Sequence, residues 1–319
     1  MLAEIVIVTY HSREKAGVEL HAFVDRATES PSLKWTFVDN SEDSADTDFL
    51  APLIAGLPNA RVVTRPDNPG FAAGCNLIGL DTAADWVVFI NPDILLEREA
   101  FERIVRALRD ADDRIGAVAI SQQTSSYRHQ GVACNWAGWF MDRRITTKPP
   151  HQPGIREALF RATGGTGALL GPSGGAAAYR ACLFQEFGGF YEAMFAWGED
   201  ADLALRLHLA GYTCLPLDLG LPHQGGHSVA AGTVAKRRAY LLSRNRIWVA
   251  ARLYSWPQTI VFTVFLLAVL VAKTPVMVWK GTLGANLRGI TSGYSSFRSI
   301  RTTYTGRRLR VLASDRCSA

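Results

Sequence analysis

Four acids and one histidine stand where this 319-residue chain could do chemistry. Asp93 closes the run Trp86-Val87-Val88-Phe89-Ile90-Asn91-Pro92-Asp93. Five apolar residues rich in Val, Ile and aromatics read as a strand buried on both faces. Pro92 ends it, because proline has no N–H for the ladder. Asp93 is then presented at the carboxyl edge of a sheet, where open α/β folds place their ligands. A competing reading makes Asp93 the cap of a following helix over 95–110. Glu199, Asp200 and Asp202 crowd the start of a second helical pattern, more acid than capping or the helix dipole needs. Asp200 and Asp202 fall on different sides of that helix and cannot share one role. His223 follows extended chain in His223-Gln224-Gly225-Gly226-His227-Ser228, a place for a metal- or phosphate-binding imidazole as much as for an ordinary surface histidine.

Such a set suits group transfer from a diphosphate. Asp93 and an imidazole can hold a divalent cation, Mg²⁺ or Mn²⁺, that acts as a Lewis acid on the leaving group. A carboxylate on the opposite rim, its pKa raised by Phe195 and Trp197, can take a proton from an acceptor hydroxyl. Asp39, at the end of a second strand, can accept the N–H of a pyrimidine base.

The elements that must position these residues alternate regularly through residue 120. Strands are expected at Ile5–Val8, Trp35–Val38, Arg61–Thr64, Trp86–Ile90 and Gly116–Ile120. Helices are expected over 14–28, 48–56, 71–80 and 97–110. This order predicts an α/β fold with a right-handed, mostly parallel central sheet flanked by helices. Periodicity fails over 121–165, where Trp136, Trp139 and Phe140 either stack on sugar rings or pack beneath a long loop. Gly171 to Tyr179 is small and Gly-rich, which admits close approach at Gly174 and Gly175 or a tight strand crossing. Residues 181–186 form a short helix, and the acid-rich helix ends at Gly211. Leu215–Leu217 and Leu219–Pro222 are short extended pieces.

Charge divides the chain. From Lys236 onward there are 15 Lys and Arg against the single acid Asp315, whereas 1–235 hold 19 basic and 28 acidic side chains. The apolar stretch Thr259–Ala272, continued to Trp279, lies inside the basic part, which favours an anionic membrane surface over nucleic acid. At 14 apolar residues interrupted by Lys273 and Pro275 it reads as an interfacial or re-entrant helix. The last 30 residues read as poorly ordered. The expected division is a catalytic domain over 1–235, with halves 1–120 and 121–235, and a basic helical extension over 236–319. Cys75, Cys134, Cys182, Cys214 and Cys317 are odd in number and lack metal-ligand spacing, which indicates a reducing compartment. No secretory leader is expected ahead of the first strand. The expectation is a cytoplasmic protein, peripheral on the inner face of the cell membrane.

In order and spacing, several stretches resemble the inverting family 2 glycosyltransferases of the GT-A fold, in particular their rhamnosyltransferase-like branch. They are Ile7-Val8-Thr9-Tyr10, Val38-Asp39-Asn40-Ser41, Asn68-Pro69-Gly70-Phe71-Ala72-Ala73-Gly74-Cys75-Asn76, Asn91-Pro92-Asp93, Gly188-Gly189-Phe190, Gly198-Glu199-Asp200-Ala201-Asp202-Leu203 with Arg206, and His223 to Ser228. They cover roughly residues 3–250; each is weak alone, and together they are specific. The resemblance implies that Thr9, Tyr10, Asp39, Asn68, Gly70, Asn76 and Asn91 line the nucleotide pocket. Asp93 is then the metal-binding acid of an Asp-any-Asp pattern, with Asn91 replacing its first acid, and His223 fits the late metal or diphosphate histidine. Asp200 is the catalytic base and Glu199 orients the acceptor. Gly174, Gly175 and Trp197 belong to the donor and acceptor pocket, with Arg244 placed to neutralise phosphate. The implied donor is dTDP-rhamnose or a UDP-hexose, and the implied acceptor a saccharide or polyprenyl-linked saccharide. Three rival readings fit the residues less well. A non-catalytic carbohydrate- or membrane-binding scaffold would leave the acids idle, as would a nucleic-acid binder. A Rossmann oxidoreductase lacks its Gly-any-Gly-any-any-Gly after the first strand, where Thr9-Tyr10-His11-Ser12 stands instead.

Overall fold

The computed structural model describes residues 1–125, 127–145, 168–224 and 232–306. The first half follows the alternation: β1 (Ala3–Thr9), α1 (Arg13–Glu29), β2 (Lys34–Asp39), α2 (Ala45–Ile54), β3 (Ala60–Thr64), α3 (Phe71–Gly79), β4 (Trp86–Ile90), α4 (Arg98–Asp110) and β5 (Ile115–Gln123). Then come β6 (Arg128–Cys134), β7 (Phe140–Ile145), β8 (Ala176–Arg180), α5 (Ala181–Glu186), a 3₁₀ turn at Glu192–Met194, α6 (Glu199–Ala210) and β9 (Thr213–Pro222). The chain closes with α7 (Thr233–Leu253), α8 (Trp256–Trp279), α9 (Leu283–Ser295) and α10 (Phe297–Thr302).

The strands form one sheet in the order β3-β2-β1-β4-β8-β5-β6-β7, and β9 pairs with β5. The β3-β2-β1-β4 half is parallel. β8 then inserts between β4 and β5, antiparallel to both. The sheet is therefore mixed: parallel pairing is confined to that half and to β5–β9. Alternate residues of β4 enter different cores. Trp86, Val88 and Ile90 pack with Leu20, Phe23, Phe101 and Ile104 on one face. Val87 and Phe89 meet Cys75, Ile78, Phe184 and Leu203 on the other. Helices on both faces account for an unbroken apolar run where a half-exposed strand would alternate.

Three expectations are corrected. Residues 128–145 are not loop but an antiparallel hairpin, β6–β7, in which Ala133 faces Met141 and Cys134 faces Phe140. Its turn is closed by Gly138 N–H donating to Asn135 O (2.9 Å) and Trp139 N–H to Asn135 Oδ1 (2.8 Å). Leu215–Leu217 and Leu219–Pro222 are parts of one ten-residue strand, β9. Of the final stretch expected to lack order, residues up to Thr302 lie in α9 and α10; residues 307–319 are outside the described part.

Pro257 lies in the first turn of α8, with Ser255 as the N-cap, a position that wastes no backbone donor. The helix runs through Lys273 and Pro275 to Trp279. It is long and apolar enough to cross a membrane by length and composition, and 22% of its apolar window is buried. Its inner stripe of Phe262, Leu266 and Val269 shares a core with Trp139, Phe140, Met194, Ala201 and Ile247. Trp139 and Phe140 thus pack beneath the C-terminal helices, whereas Trp136 is exposed.

Candidate active site

The turn after β4 is built by pairing at both ends. Asn91 N–H donates to Gly175 O (2.8 Å), and Ile94 forms a bridge with His223. Leu95 N–H reaches Pro222 O (2.9 Å), and Gln224 N–H reaches Asp93 O (3.2 Å). These bonds bring Asp93 Oδ2 to 3.2 Å from His223 Nε2, both side chains largely shielded. Asp93 does not cap α4, which starts at Arg98 with Glu97 as its N-cap residue. His223 Nδ1 is buried without a hydrogen-bond partner, and the His129 ring lies 6.4 Å away, centroid to centroid. Burial depresses the His129 pKa, with Asp142 opposing and His223 adding to the shift. Among the described residues no group of three His, Cys, Asp or Glu could hold a metal. The carboxylate nevertheless suits a hard cation that takes its other ligands from phosphate and water, and the imidazole beside it is a softer donor. His227 lies outside the described residues.

Across the β4–β8 junction stand the acids of α6. Gly198 opens the helix at φ 120°. Asp200 is half-buried; Gly174 N–H donates to its Oδ2 (3.0 Å) and Ala201 N–H to its Oδ1 (2.7 Å). Burial raises its pKa against those two bonds, and the Asp142 charge adds to the rise. Glu199 is fully buried with Oε2 unpartnered. Its pKa is pushed well up, first by desolvation and then by the Asp200 charge. A side chain at Gly174 would come within 3.3 Å of Glu199 Oε1, so the small residue keeps this space open. Asp202 points the other way. It is fully buried, bonded to Arg206 Nε and Nη2 at 2.8 Å and paired with Arg252 Nε at 3.0 Å. Arg206 in turn donates to the carbonyls of Phe187 and Gly189. This acid is structural.

The remaining expected residues divide. Tyr10, Asn68 and Gly70 gather at one mouth, where Tyr10 Oη (3.3 Å) and Asn68 Nδ2 (3.4 Å) both donate to Glu42 Oε1. His11 Nε2 lies 3.0 Å from Glu42 Oε2. Gly70, at φ 95°, has no room for a side chain, since its Cβ would lie 2.6 Å from the Phe195 ring. Thr9 is buried with its hydroxyl unpartnered. Three expectations need correction. Asn76 is buried and spends its amide on Phe190 O (2.8 Å), Glu192 Oε1 (3.0 Å) and Phe190 N–H (2.8 Å), so it fixes the Gly188–Phe190 turn instead of lining a nucleotide pocket. Asp39 is fully buried; Ser41 N–H binds one oxygen, and Thr47 N–H and Oγ1 bind the other, at 2.7–2.8 Å. Its carboxylate orders the 40–47 loop and has no surface for a base. Arg244 is stacked on Trp248 (4.0 Å) and donates to Ala193 O (3.1 Å) and Met194 O (3.2 Å), so its guanidinium is committed to protein.

Glu42, Arg237 and Asn245 were not singled out from sequence. Arg237 lies over the Phe195 ring (4.4 Å), and its charge lowers the pKa of Tyr10 against a larger rise from burial. It is thus a cation within electrostatic reach of Tyr10. Among the described residues, the non-glycines with positive φ are His11, Ser44, Asn68, Phe195 and Trp197. Four of them sit in the stretches just named, and Ser44 lies in the loop that Asp39 orders. Such conformations cost of order 1–3 kcal/mol each and gather at functional sites.

A family model for glycosyltransferase-like family 2 matches residues 3–215. A comparison with curated proteins finds no match. Among solved structures, a mannosyltransferase from Pyrobaculum calidifontis in complex with GDP-Man and Mn²⁺ is similar at 16% identity, covering 92% of this chain and 86% of its own, with a TM-score of 0.50. TarS residues 1–349 of S. aureus with UDP-GlcNAc shares 13% identity over 95% of this chain and 91% of its own, TM-score 0.54. GalNAc-T7 with UDP, GalNAc and Mn²⁺ shares 13% over 80% of this chain and 48% of its own, TM-score 0.52. At these identities the likeness concerns the fold, a GT-A-like mixed α/β architecture. The family match spans two thirds of the sequence and includes both acid-bearing turns, and the chain belongs to the glycosyltransferases of this family 2-like group.

Proposed function

We propose that the protein transfers a sugar from a nucleoside diphosphate donor to a hydroxyl of a saccharide or lipid-linked saccharide, with inversion at the anomeric carbon. The observation that carries this reading is the link between the two acid-bearing segments. Asn91 and Asp200 are bonded to the adjacent residues Gly175 and Gly174, so the post-β4 turn and the α6 acids meet at one edge of the sheet. The fold neighbours that hold GDP-Man and UDP-GlcNAc lend support to the donor class.

In this account Asp200, held by two amides and raised in pKa, takes the acceptor proton as the new oxygen–carbon bond forms and the bond to the diphosphate breaks. Glu199, buried beside it, offers the acceptor no surface and acts through its contact with the Asp200 charge. Asp93 and His223 would hold the Mg²⁺ or Mn²⁺, which supplies Lewis-acid charge to the leaving diphosphate when bound. Arg237 adds positive charge at the mouth formed by Tyr10, Asn68 and Gly70, where the nucleotide enters. Thr9 and Asn91 support that wall; Gly174, Gly175 and Trp197 shape the sugar side. The donor is dTDP-rhamnose or a UDP-hexose. The outer face of α8 lies on the cytoplasmic membrane surface and brings a polyprenyl-linked acceptor within reach.

A panel of dTDP-rhamnose, UDP-hexoses and GDP-mannose, each with Mg²⁺ or Mn²⁺, tests the reading by release of nucleoside diphosphate. Release from at least one donor is expected. Neither binding nor release from any member would sink it.

A further inference from the structure

Asn245 sits mid-way along α7 and is fully buried. Asparagine is a poor interior helix residue, because its amide competes for backbone partners. A buried one therefore calls for partners that need it. Its Nδ2 lies 3.1 Å from Met194 O, 3.0 Å from Ala196 O and 2.8 Å from Trp197 O. Two N–H groups serve three carbonyls, so at least one bond is shared. Arg244 Nε donates to Asn245 Oδ1 (3.0 Å), which fixes the amide with its nitrogen toward the loop. Arg244 itself holds Ala193 O and Met194 O.

The segment these side chains grip is the one that precedes the acids. Phe195 has φ 66° and ψ −61°, the strained γ-turn region. Trp197 has φ 64° and Gly198 φ 120°. An ordinary residue persists in such a conformation only where its surroundings impose it. On the other side, Ala72 N–H at the start of α3 binds Phe195 O (3.1 Å). A Cβ on Gly198 would lie 3.2 Å from Asn245 Cβ, so the loop and α7 are in close contact. Glu199 and Asp200 follow at once.

We propose that Asn245, assisted by Arg244, is a positioning residue for the reaction: α7, from outside the matched family region, clamps the Phe195–Trp197 turn and thereby sets the carboxylates of Glu199 and Asp200. The catalytic part of this inference rests on the glycosyl-transfer reading; the clamp itself does not. Without the clamp the turn relaxes and Asp200 leaves its place by Gly174, and a misplacement of about 1 Å costs about 10²-fold in rate.

The test uses the full chain with Asn245→Ala, the isosteric Asn245→Asp that lacks both donors, and Ser243→Ala as control. Ser243 loses a buried bond to Asn286 (2.8 Å) on the same helix. Hydrogen exchange over 190–202 should rise in both Asn245 variants and not in the control. The kcat for the active donor should fall by about 10²-fold with donor KM within about 3-fold. Unchanged exchange in a folded Asn245 variant overturns the clamp. Raised exchange with kcat within about 2-fold of wild type overturns its role in positioning. A wild-type enzyme inactive on every donor instead sinks the glycosyl-transfer reading, and the exchange arm still decides the clamp.

Discussion

Gly174 N–H donates to Asp200 Oδ2 at 3.0 Å, and this bond ties the segment that enters the central strand β8 to the acid of a helix 26 residues further on. The next residue, Gly175, accepts from Asn91. Two adjacent glycines thus join the β4 turn to the α6 acids, and bulk at Gly174 would press on Phe71 and Glu199. A Cβ on Gly175 would lie 2.5 Å from Gln122 Oε1.

Glu199→Gln should stabilise the protein, and more so as pH rises. Desolvation raises the folded pKa of Glu199 above its unfolded value. The fold therefore favours the protonated form. Its contribution is full below the ordinary carboxylate range and is lost as pH rises through the folded value. Melting at about pH 4 should show little difference from wild type, and at about pH 8 the variant should melt higher. A lower melting point at both values would contradict the burial argument.

Asp202→Asn should do the opposite, although it lies three residues away. It would leave Arg206 and Arg252 facing a neutral amide where both now pair with one buried carboxylate. Breaking a buried pair in this way costs about 3–5 kcal/mol. Urea unfolding measures it, and a loss below about 1 kcal/mol would return Asp202 to the class of exposed pairs.

Asp93→Ala and His223→Ala should each weaken Mn²⁺-dependent binding of UDP or dTDP by about 10–100-fold, and binding without the cation much less. Calorimetry with and without Mn²⁺ reads both. Equal cation dependence in wild type and the two variants would place the cation elsewhere.

The outward stripe of α8, Ile260, Val264, Leu267 and Val271, is exposed at 52–74%, with Trp256 and Trp279 exposed near its two ends. Lys280, Arg288 and Arg298 lie nearby in sequence. The double variant Val264→Asp with Val271→Asp should lose at least about 10-fold in binding to vesicles rich in anionic lipid, since each buried aliphatic side chain is worth about 1.5–3 kcal/mol. Vesicle sedimentation checks it. Binding that is absent in wild type, or unchanged in the variant, would contradict a membrane-facing role.

Much of this was legible from residue order. β1, β2, β4, α3 and α6 lie where periodicity put them, because apolar runs bounded by Pro, Gly and Asn leave little choice of element. Asp93 and His223 each carry a local signal, a Pro-terminated strand and a Gly-flanked histidine, and lie 3.2 Å apart. What escaped is non-local. No local signal puts β8 between β4 and β5, a pairing of segments nearly 90 residues apart. The β6–β7 hairpin was masked by Asp142, Arg143 and Arg144 on β7, although Asn135-Trp136-Ala137-Gly138 is a turn signal that could have shown it. Asn76 and Asp39 carry the right chemistry for a ligand, and only their partners reveal that the fold consumes it. Asn245 shows the converse. A lone asparagine in a basic helix carries no local signal, and its role emerges once the 194–197 carbonyls are seen against it.

The most direct test of the account is Asp200→Asn, measured for donor turnover and nucleotide binding in the same preparation. A general base contributes about 10²–10⁴-fold. The variant should lose turnover by that factor while binding UDP or dTDP within about 3-fold of wild type, because the amide keeps an oxygen for Gly174 N–H. Turnover equal to wild type would contradict the assignment of Asp200 as the group that takes the acceptor proton.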